Sequence, residues 1–320
     1  PEEPPAAPPA GQEDAPARRG TAPTLADVRY GPHARNVLDL WQARSATPSP
    51  LIVFIHGGGF VQGDKQVDLR PEQRRLRRAL AHGVSFASID YRLRTTATLD
   101  QILLDCARAV QFLRAHAAEW NLDPARVAAY GSSAGGGATL WLAVHDDLAD
   151  PASEDPILQQ SSRLAAAGHL NSQATYDCEQ WAAIVGVPPT WLVEWSMGDD
   201  LEFYGVASRD QVDSPAAKAI RGRVDMLAFL DAGDPPLFVQ NLNPDLPPRN
   251  REEVIHHPRH ALHLAERCRA AGIEVQLVTA GGPSRRRPDV VDFLLTRLGK
   301  TPRVPRGRGG EGGGEDRAGG

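Results

Sequence analysis

Two glycine-rich signatures, each closing an apolar strand-like run, constrain this chain more than any other feature. The first is Leu51-Ile-Val-Phe-Ile-His56-Gly57-Gly58-Gly59-Phe60, and the second is Val127-Ala-Ala-Tyr-Gly131-Ser132-Ser133-Ala134-Gly135-Gly136. An unbroken apolar run is what a strand buried on both faces requires, as in a mostly parallel sheet with helices on either side. A strand followed at once by glycines and then a helical pattern marks a sharp turn at the end of that sheet.

The rest of the chain alternates in the same way. Val28-Arg-Tyr and Val37–Trp41 read as a short antiparallel entry, and Val84–Ile89, Leu164–Leu170, Leu237–Asn241 and Val275–Thr279 as further strands. Between them, Pro71–Ala81, Leu99–Glu119, Ala134–Val144, Pro258–Ala271 and Asp289–Leu298 read as helices. In Leu99–Glu119, Ile102, Cys106, Ala109 and Leu113 recur at helical spacing. In Pro258–Ala271, Ala261, Leu264, Ala265 and Cys268 share a face, and Gly272 ends the helix. This alternation predicts a doubly wound α/β sheet.

Residues 171–231 are less regular and read as an insertion over one end of the sheet. Their Trp181, Trp191 and Trp195 are expected in the core or lining a pocket. Residues 1–24, rich in proline and alanine, and 301–320, with eight glycines, are expected to be disordered. The expected domain therefore runs from 25 to 300.

The glycine signatures also carry chemistry. Gly131-Ser-Ser133-Ala-Gly135 fits G-x-S-x-G, in which the serine sits on a strained strand-to-helix turn. Ser133, the central residue, is the expected nucleophile. The N–H of Ala134 then opens a helix, where the dipole favours negative charge. Gly57-Gly58-Gly59 lets the backbone approach a substrate closely, so Gly58 and Gly59 are expected to join Ala134 in an oxyanion hole. His56 is expected to brace this loop rather than to act as a base.

Bulk properties exclude some classes. A net charge of -5 gives no electrostatic reason to expect a nucleic acid partner. No apolar run approaches the roughly 20 residues that span a bilayer. Cys106, Cys178 and Cys268 have no metal-type spacing, and Cys106 and Cys268 are expected as small buried hydrophobes. The first residue is Pro1, so a removed upstream segment, such as a secretory signal, is compatible with the chain, and its compartment stays open.

Three segments together resemble a known family. Ile55-His-Gly-Gly-Gly-Phe-Val-Gln-Gly-Asp-Lys65, Ile89-Asp-Tyr-Arg-Leu93 and Tyr130-Gly-Ser-Ser-Ala-Gly-Gly136 are similar to the esterase/lipase branch of the α/β hydrolases. Within it the likeness is greatest to hormone-sensitive-lipase-like and bacterial feruloyl-esterase-like carboxylesterases. The resemblance implies the α/β-hydrolase fold and a serine hydrolase acting on carboxylic esters, with no metal or organic cofactor. A small-molecule or carbohydrate-linked ester is the implied substrate. It also implies that Asp64 and Tyr91-Arg92 brace the loops around the site.

The rest of such a site should follow in the order acid, then histidine. Asp245, in the loop after Leu237–Asn241, is the expected acid, with Glu252 and Glu253 as fallbacks. The base is expected after Val275–Thr279, yet residues 280–288 hold no histidine, and none occurs after His263. An earlier cluster contains His256, His257, His260 and His263. His257, at the expected helix N-cap, is the first choice for the base and His256 the second. His260 and His263 are expected at the surface, and the cluster lacks the ligand spacing of a zinc site.

Two main readings follow. One is an active carboxylesterase using Ser133, Asp245 and His257. The alternative is a hydrolase-fold protein that binds without catalysis, since the usual position of the base is empty. A scaffold built on the Trp-rich region is a third and weaker reading.

Overall fold

Strand β3, Ser49–Ile55, is buried along its whole length and lies in the middle of the sheet. The computed structural model describes residues 21–66, 70–196, 199–281 and 287–301; the Pro/Ala-rich residues 1–20 and the Gly-rich residues 302–320 lie outside them. In chain order the strands are β1 (Leu25–Arg29), β2 (Val37–Trp41), β3, β4 (Ser85–Ile89), β5 (Leu122–Ser132), β6 (Ala167–Leu170), β7 (Leu237–Asn241) and β8 (Val275–Thr279). They form one sheet in the order β1-β2-β4-β3-β5-β6-β7-β8. The β1–β2 and β2–β4 pairs are antiparallel and all later pairs parallel. Residues 21–24, assigned to the N-terminal segment by composition, also lie along β2: Thr24 N donates to Leu40 O at 2.8 Å, and Trp41 Nε1 to Thr21 O at 2.7 Å.

Helices cover both faces. They are α1 (Arg70–Ala81), α2 (Leu99–Ala115), α3 (Ala134–Val144), α4 (Trp181–Val185), α5 (Pro189–Ser196), α6 (Asp199–Tyr204), α7 (Pro215–Val224), α8 (Met226–Phe229), α9 (Arg251–Ile255), α10 (Pro258–Ala270) and α11 (Val290–Arg297). Leu99, Ile102, Cys106, Ala109 and Leu113 of α2 are all buried. Burying each large aliphatic side chain of such a face contributes about 1.5–3 kcal/mol. The helix stops four residues short of the expected Glu119. His116 is its C-cap, with the ring at 3.0 Å from Phe112 O and stacked on Trp120 at 4.8 Å.

Two further features depart from the expectations. The insertion 171–231 is largely a run of short helices, α4 to α8, rather than irregular chain. Pro188, Gly186 and Gly205 break it into pieces too short to show helical periodicity. Helix α9 was not expected at all. It starts at Asn250, whose side chain accepts from Glu253 N at 3.0 Å. Cys106, Cys178 and Cys268 are all buried thiols. Among the described residues, no helix is long and apolar enough to cross a membrane.

Candidate active site

β5 delivers the chain to Ser133, which α3 then leads away. Ser133 has φ 53° and ψ −126°, a left-handed conformation that side-chain-bearing residues seldom adopt. The flanking glycines make this turn possible. A Cβ on Gly131 would lie 2.3 Å from the backbone of Gly135, and a Cβ on Gly135 would lie 2.0 Å from Ile55 O. Either would drive β3, β5 and α3 apart at the point where they must touch. The sheet register agrees, since Ile55 pairs with Gly131.

The loop after β3 faces the same place. Gly58 has φ +107°, and a Cβ there would meet Gln62 O at 2.2 Å. Val61 N and Gln62 N both donate to Gly58 O, closing a tight turn. His56 and its neighbours hold the turn from behind. Its Nδ1 lies 2.7 Å from Gly57 O, and its ring stacks on Tyr91 at 4.3 Å. The Tyr91 hydroxyl donates to His56 O at 2.6 Å. Arg92 forms a fork on Asp105, with both bonds at 2.8 Å. Asp64 Oδ1 accepts from Gln66 N at 2.7 Å.

His256, the second choice from sequence, is the histidine at the serine: Ser133 Oγ lies 2.8 Å from His256 Nε2. The other ring nitrogen, Nδ1, is 2.8 Å from Glu252 Oε1. Both side chains come from α9 and its C-cap, four residues apart, so one helical turn puts them on one face. The main chain at His256 is fixed from β7 and its following loop. Asn241 Nδ2 and Asn243 Nδ2 both donate to His256 O, at 3.0 and 2.8 Å. Gln173 Nε2 holds Ile255 O at 2.8 Å.

The sequence's first choices for base and acid lie elsewhere. His257 is the N-cap of α10, its Nδ1 accepting from Arg259 N while Nε2 sits 2.9 Å from Leu246 O. Both ring nitrogens are thus engaged by partners other than Ser133. Asp245 pairs with Arg259 at 3.1 Å and lies 3.8 Å from His257 Nε2. Glu253 is held by Arg249.

His260, expected at the surface, is wholly buried. It follows His257 by three residues and precedes Ala261, so it falls on the packed side of α10. Its Nε2 lies 3.1 Å from Val254 O and its ring packs edge-on against Trp181. Burial pushes its pKa down to about 3, and that of buried His169 to about 4. His256, His257 and His260 therefore point to different partners, while His263 is half-buried rather than at the surface. Among the described residues, no group of three or more His, Cys, Asp or Glu side chains could hold a metal ion.

Ser133 and His256 open into a cleft of about 470 Å³. Gly58, Gly59 and Ala134 line it on the serine side, and Tyr176, Trp181 and Phe203 bring the insertion over it. Phe60, Tyr176 and Phe203 pack edge to face at 5.5 to 6.0 Å and make its apolar wall. The side chain of Trp195 lies outside the described residues.

Sheet order, the strained serine and the preceding glycine loop define an α/β hydrolase. The chain belongs to the BD-FAE family, whose model matches residues 38–245. Relatives include a probable isoprenylcysteine alpha-carbonyl methylesterase, ICMEL1, of Arabidopsis thaliana. It is 28% identical over 140 residues, covering 43% of this chain and 29% of that protein. Esterase LipC of Mycobacterium tuberculosis is 31% identical over 111 residues, covering 34% and 27%. The aligned stretch thus spans under a third of either relative. Among solved structures, a truncated carbohydrate esterase from gut microbiota superposes with a TM-score of 0.66 at 19% identity, covering 86% of this chain and 96% of that one. Apo esterase 2 of Thermogutta terrifontis gives 0.53 at 20% identity, covering 84% and 85%. The family match ends at residue 245, before Glu252 and His256.

Proposed function

We propose that the protein is a serine carboxylesterase in which Ser133 is the nucleophile, His256 the general base and Glu252 the acid that orients it. The observation carrying this reading is the 2.8 Å contact between Ser133 Oγ and His256 Nε2. His256 Nε2 accepts the hydroxyl proton as Oγ attacks the ester carbonyl carbon. Glu252 accepts a hydrogen bond from Nδ1, which fixes the tautomer and supports the imidazolium that forms.

The N–H groups of Gly58, Gly59 and Ala134 stabilise the oxyanion of the tetrahedral intermediate. As that intermediate collapses, the imidazolium returns its proton to the departing alcohol, leaving an acyl group on Ser133. Water, deprotonated by His256, then attacks the acyl carbonyl, and the imidazolium returns that proton to Ser133 Oγ as the Oγ–acyl bond breaks and the acid leaves.

The alternative of a binding protein without catalysis rests on the histidine-free stretch 280–288. His256, reaching the serine from α9, supplies an imidazole by another route and supports the active reading. Ester-cleaving relatives and a carbohydrate esterase of similar fold favour a small or carbohydrate-linked ester as substrate. Hydrolysis of 4-nitrophenyl acetate by the wild type and by Ser133→Ala tests the proposal. Turnover by the wild type, falling by about 10³-fold or more in the variant, is expected; equal turnover by both overturns it.

A further inference from the structure

Among the buried residues that line the cleft beside Ser133, Gln173, Tyr176 and Trp181 carry polar side-chain atoms. Two of them are committed to the protein. The Tyr176 hydroxyl donates to Ala134 O and Trp181 Nε1 to Thr175 O, each at 2.8 Å. Gln173 is committed on one side only. It is 4% exposed, and its Nε2 donates to Ile255 O at 2.8 Å. Its Oε1 has no hydrogen-bond partner among the described residues and is not sealed from the cleft that the residue lines.

The amide cannot be turned the other way round. Ile255 O can only accept, so the NH2 group must face it and the oxygen must take the opposite side. The main chain is held as well, with Gln173 O at 2.9 Å from His169 Nε2. Residues 173–176 are tied at one end to the residue before His256 and at the other to Ala134, the residue after Ser133. A free acceptor on this stretch therefore stands close to where the ester carbonyl must meet Ser133 Oγ.

While the cleft is open to solvent, water can satisfy such an oxygen. A substrate that fills the cleft displaces that water. If it brings a donor, the hydrogen bond is restored. If it brings a methyl group instead, a buried carbonyl oxygen is left unmet, and the site discriminates against that substrate.

We infer that Gln173 determines specificity: its Oε1 accepts a hydrogen bond from a hydroxyl group carried near the ester carbonyl, so hydroxylated esters are preferred to their alkyl counterparts. The inference rests on the reading of Ser133 as the ester-cleaving residue and names a recognition group for its substrate. The hydroxyl can belong to the acyl or the alcohol part, and the test separates the two.

Values of kcat/KM are compared within two pairs of esters in which a methyl replaces the hydroxyl. Ethyl 3-hydroxypropanoate against ethyl butanoate puts the group on the acyl side. On the alcohol side the pair is 2-hydroxyethyl acetate against propyl acetate. Each ratio is divided by that for alkaline hydrolysis of the same two esters, which removes intrinsic reactivity. The corrected wild-type ratio should exceed about 5 in at least one pair, a hydrogen bond to a buried acceptor being worth roughly that factor. It should fall to about unity or below in Gln173→Met. Ratios are read within one protein, so a general loss from releasing Ile255 O cancels. Smaller wild-type ratios in both pairs, or a preference that survives in Gln173→Met, overturn the inference and leave the esterase reading standing.

If Gln173→Met does not fold, a crystal structure of Ser133→Ala with the preferred hydroxy ester decides. Its hydroxyl oxygen should lie about 2.7–2.8 Å from Oε1, and a hydroxyl bonded elsewhere overturns the inference. If the wild type turns over no ester, the esterase reading fails, and ligand-detected NMR titration with the same intact esters decides. Binding of a hydroxy ester about 5-fold tighter than its alkyl counterpart supports the site; equal or weaker binding in both pairs, or none, overturns it.

Discussion

His256 and Glu252 stand four residues apart on a single helical turn, with Nδ1 and Oε1 2.8 Å from each other. The pair that would serve Ser133 therefore comes from one short helix, not from loops after two different strands. Its position depends on α9 keeping its shape and on Asn241 and Asn243 holding the His256 carbonyl.

The exposure of Glu252 sets the size of its effect. Its side chain is 71% exposed, whereas that of His256 is 19% exposed. An ion pair open to water is screened, and water can take over part of the carboxylate's role. Glu252→Gln should lower kcat/KM for 4-nitrophenyl acetate by about 10- to 100-fold, well below the roughly 10⁴-fold seen when a buried triad acid is lost. Asp245→Asn should change it by less than about twofold. A larger effect at Asp245 than at Glu252 would return the acid to the β7 loop.

Gly131 and Gly135 are fixed by contact distance. A methyl at either position meets backbone atoms at 2.3 or 2.0 Å, with no side chain able to yield. Gly131→Ala and Gly135→Ala should each destabilise the fold by about 3 kcal/mol or more, seen as a lower urea midpoint. Gly59 has no such neighbour, its nearest contact being Val61 at 3.8 Å, but its φ is +61°. Gly59→Ala should therefore cost only about 1 kcal/mol. Equal losses at all three positions would contradict the steric account.

These contrasts show which parts of the site were legible in the sequence. The glycines on either side of Ser133 were readable because backbone contact closer than van der Waals limits leaves room for only one residue type. The strands were readable because burial on both faces demands continuous apolar runs. Glu252 and His256 were harder to see because α9 is five residues long, too short for periodicity. A signal was present nonetheless: Asn250 followed by Glu253 fits a helix start, and Glu252 to His256 is helical spacing. Asp245 drew notice as a turn aspartate between prolines, and its partner Arg259 lies 14 residues on. His260 was placed at the surface by its polarity, although its spacing to Ala261 and Leu264 puts it on the packed side.

The buried histidines make stability depend on pH. In the folded chain the pKa values of His169 and His260 are lowered from 6.5 to about 4 and about 3 by burial. Above about pH 6.5 both states are neutral at these positions, and the groups have no effect. As pH falls below that, the unfolded chain binds protons that the folded chain does not. Stability should fall by up to about 1.4 kcal/mol per pH unit per histidine. Urea midpoints should decline between pH 7 and pH 5, before most carboxylates titrate. A flat profile over that range would contradict the burial of these rings.

Lys65 carries a separate structural load. Its buried ammonium lies 2.7 Å from buried Asp39 and 2.8 Å from exposed Asp27, tying the chain after the glycine loop to β1 and β2. Lys65→Met would leave Asp39 buried without its cation. A loss of about 3–5 kcal/mol in unfolding free energy is expected by chemical denaturation. The double variant Lys65→Met/Asp39→Leu should recover part of it, and no recovery would indicate that packing, not charge, is at stake.

Labelling by a fluorophosphonate probe tests the central contact most directly, because the probe reacts only with an activated serine hydroxyl. Labelling rates at Ser133 should be compared in the wild type, His256→Ala and His257→Ala. The contact between Ser133 and His256 predicts rapid labelling in the wild type and in His257→Ala, and a loss of at least about 100-fold in His256→Ala. Undiminished labelling in His256→Ala, or an unreactive wild type, would contradict it.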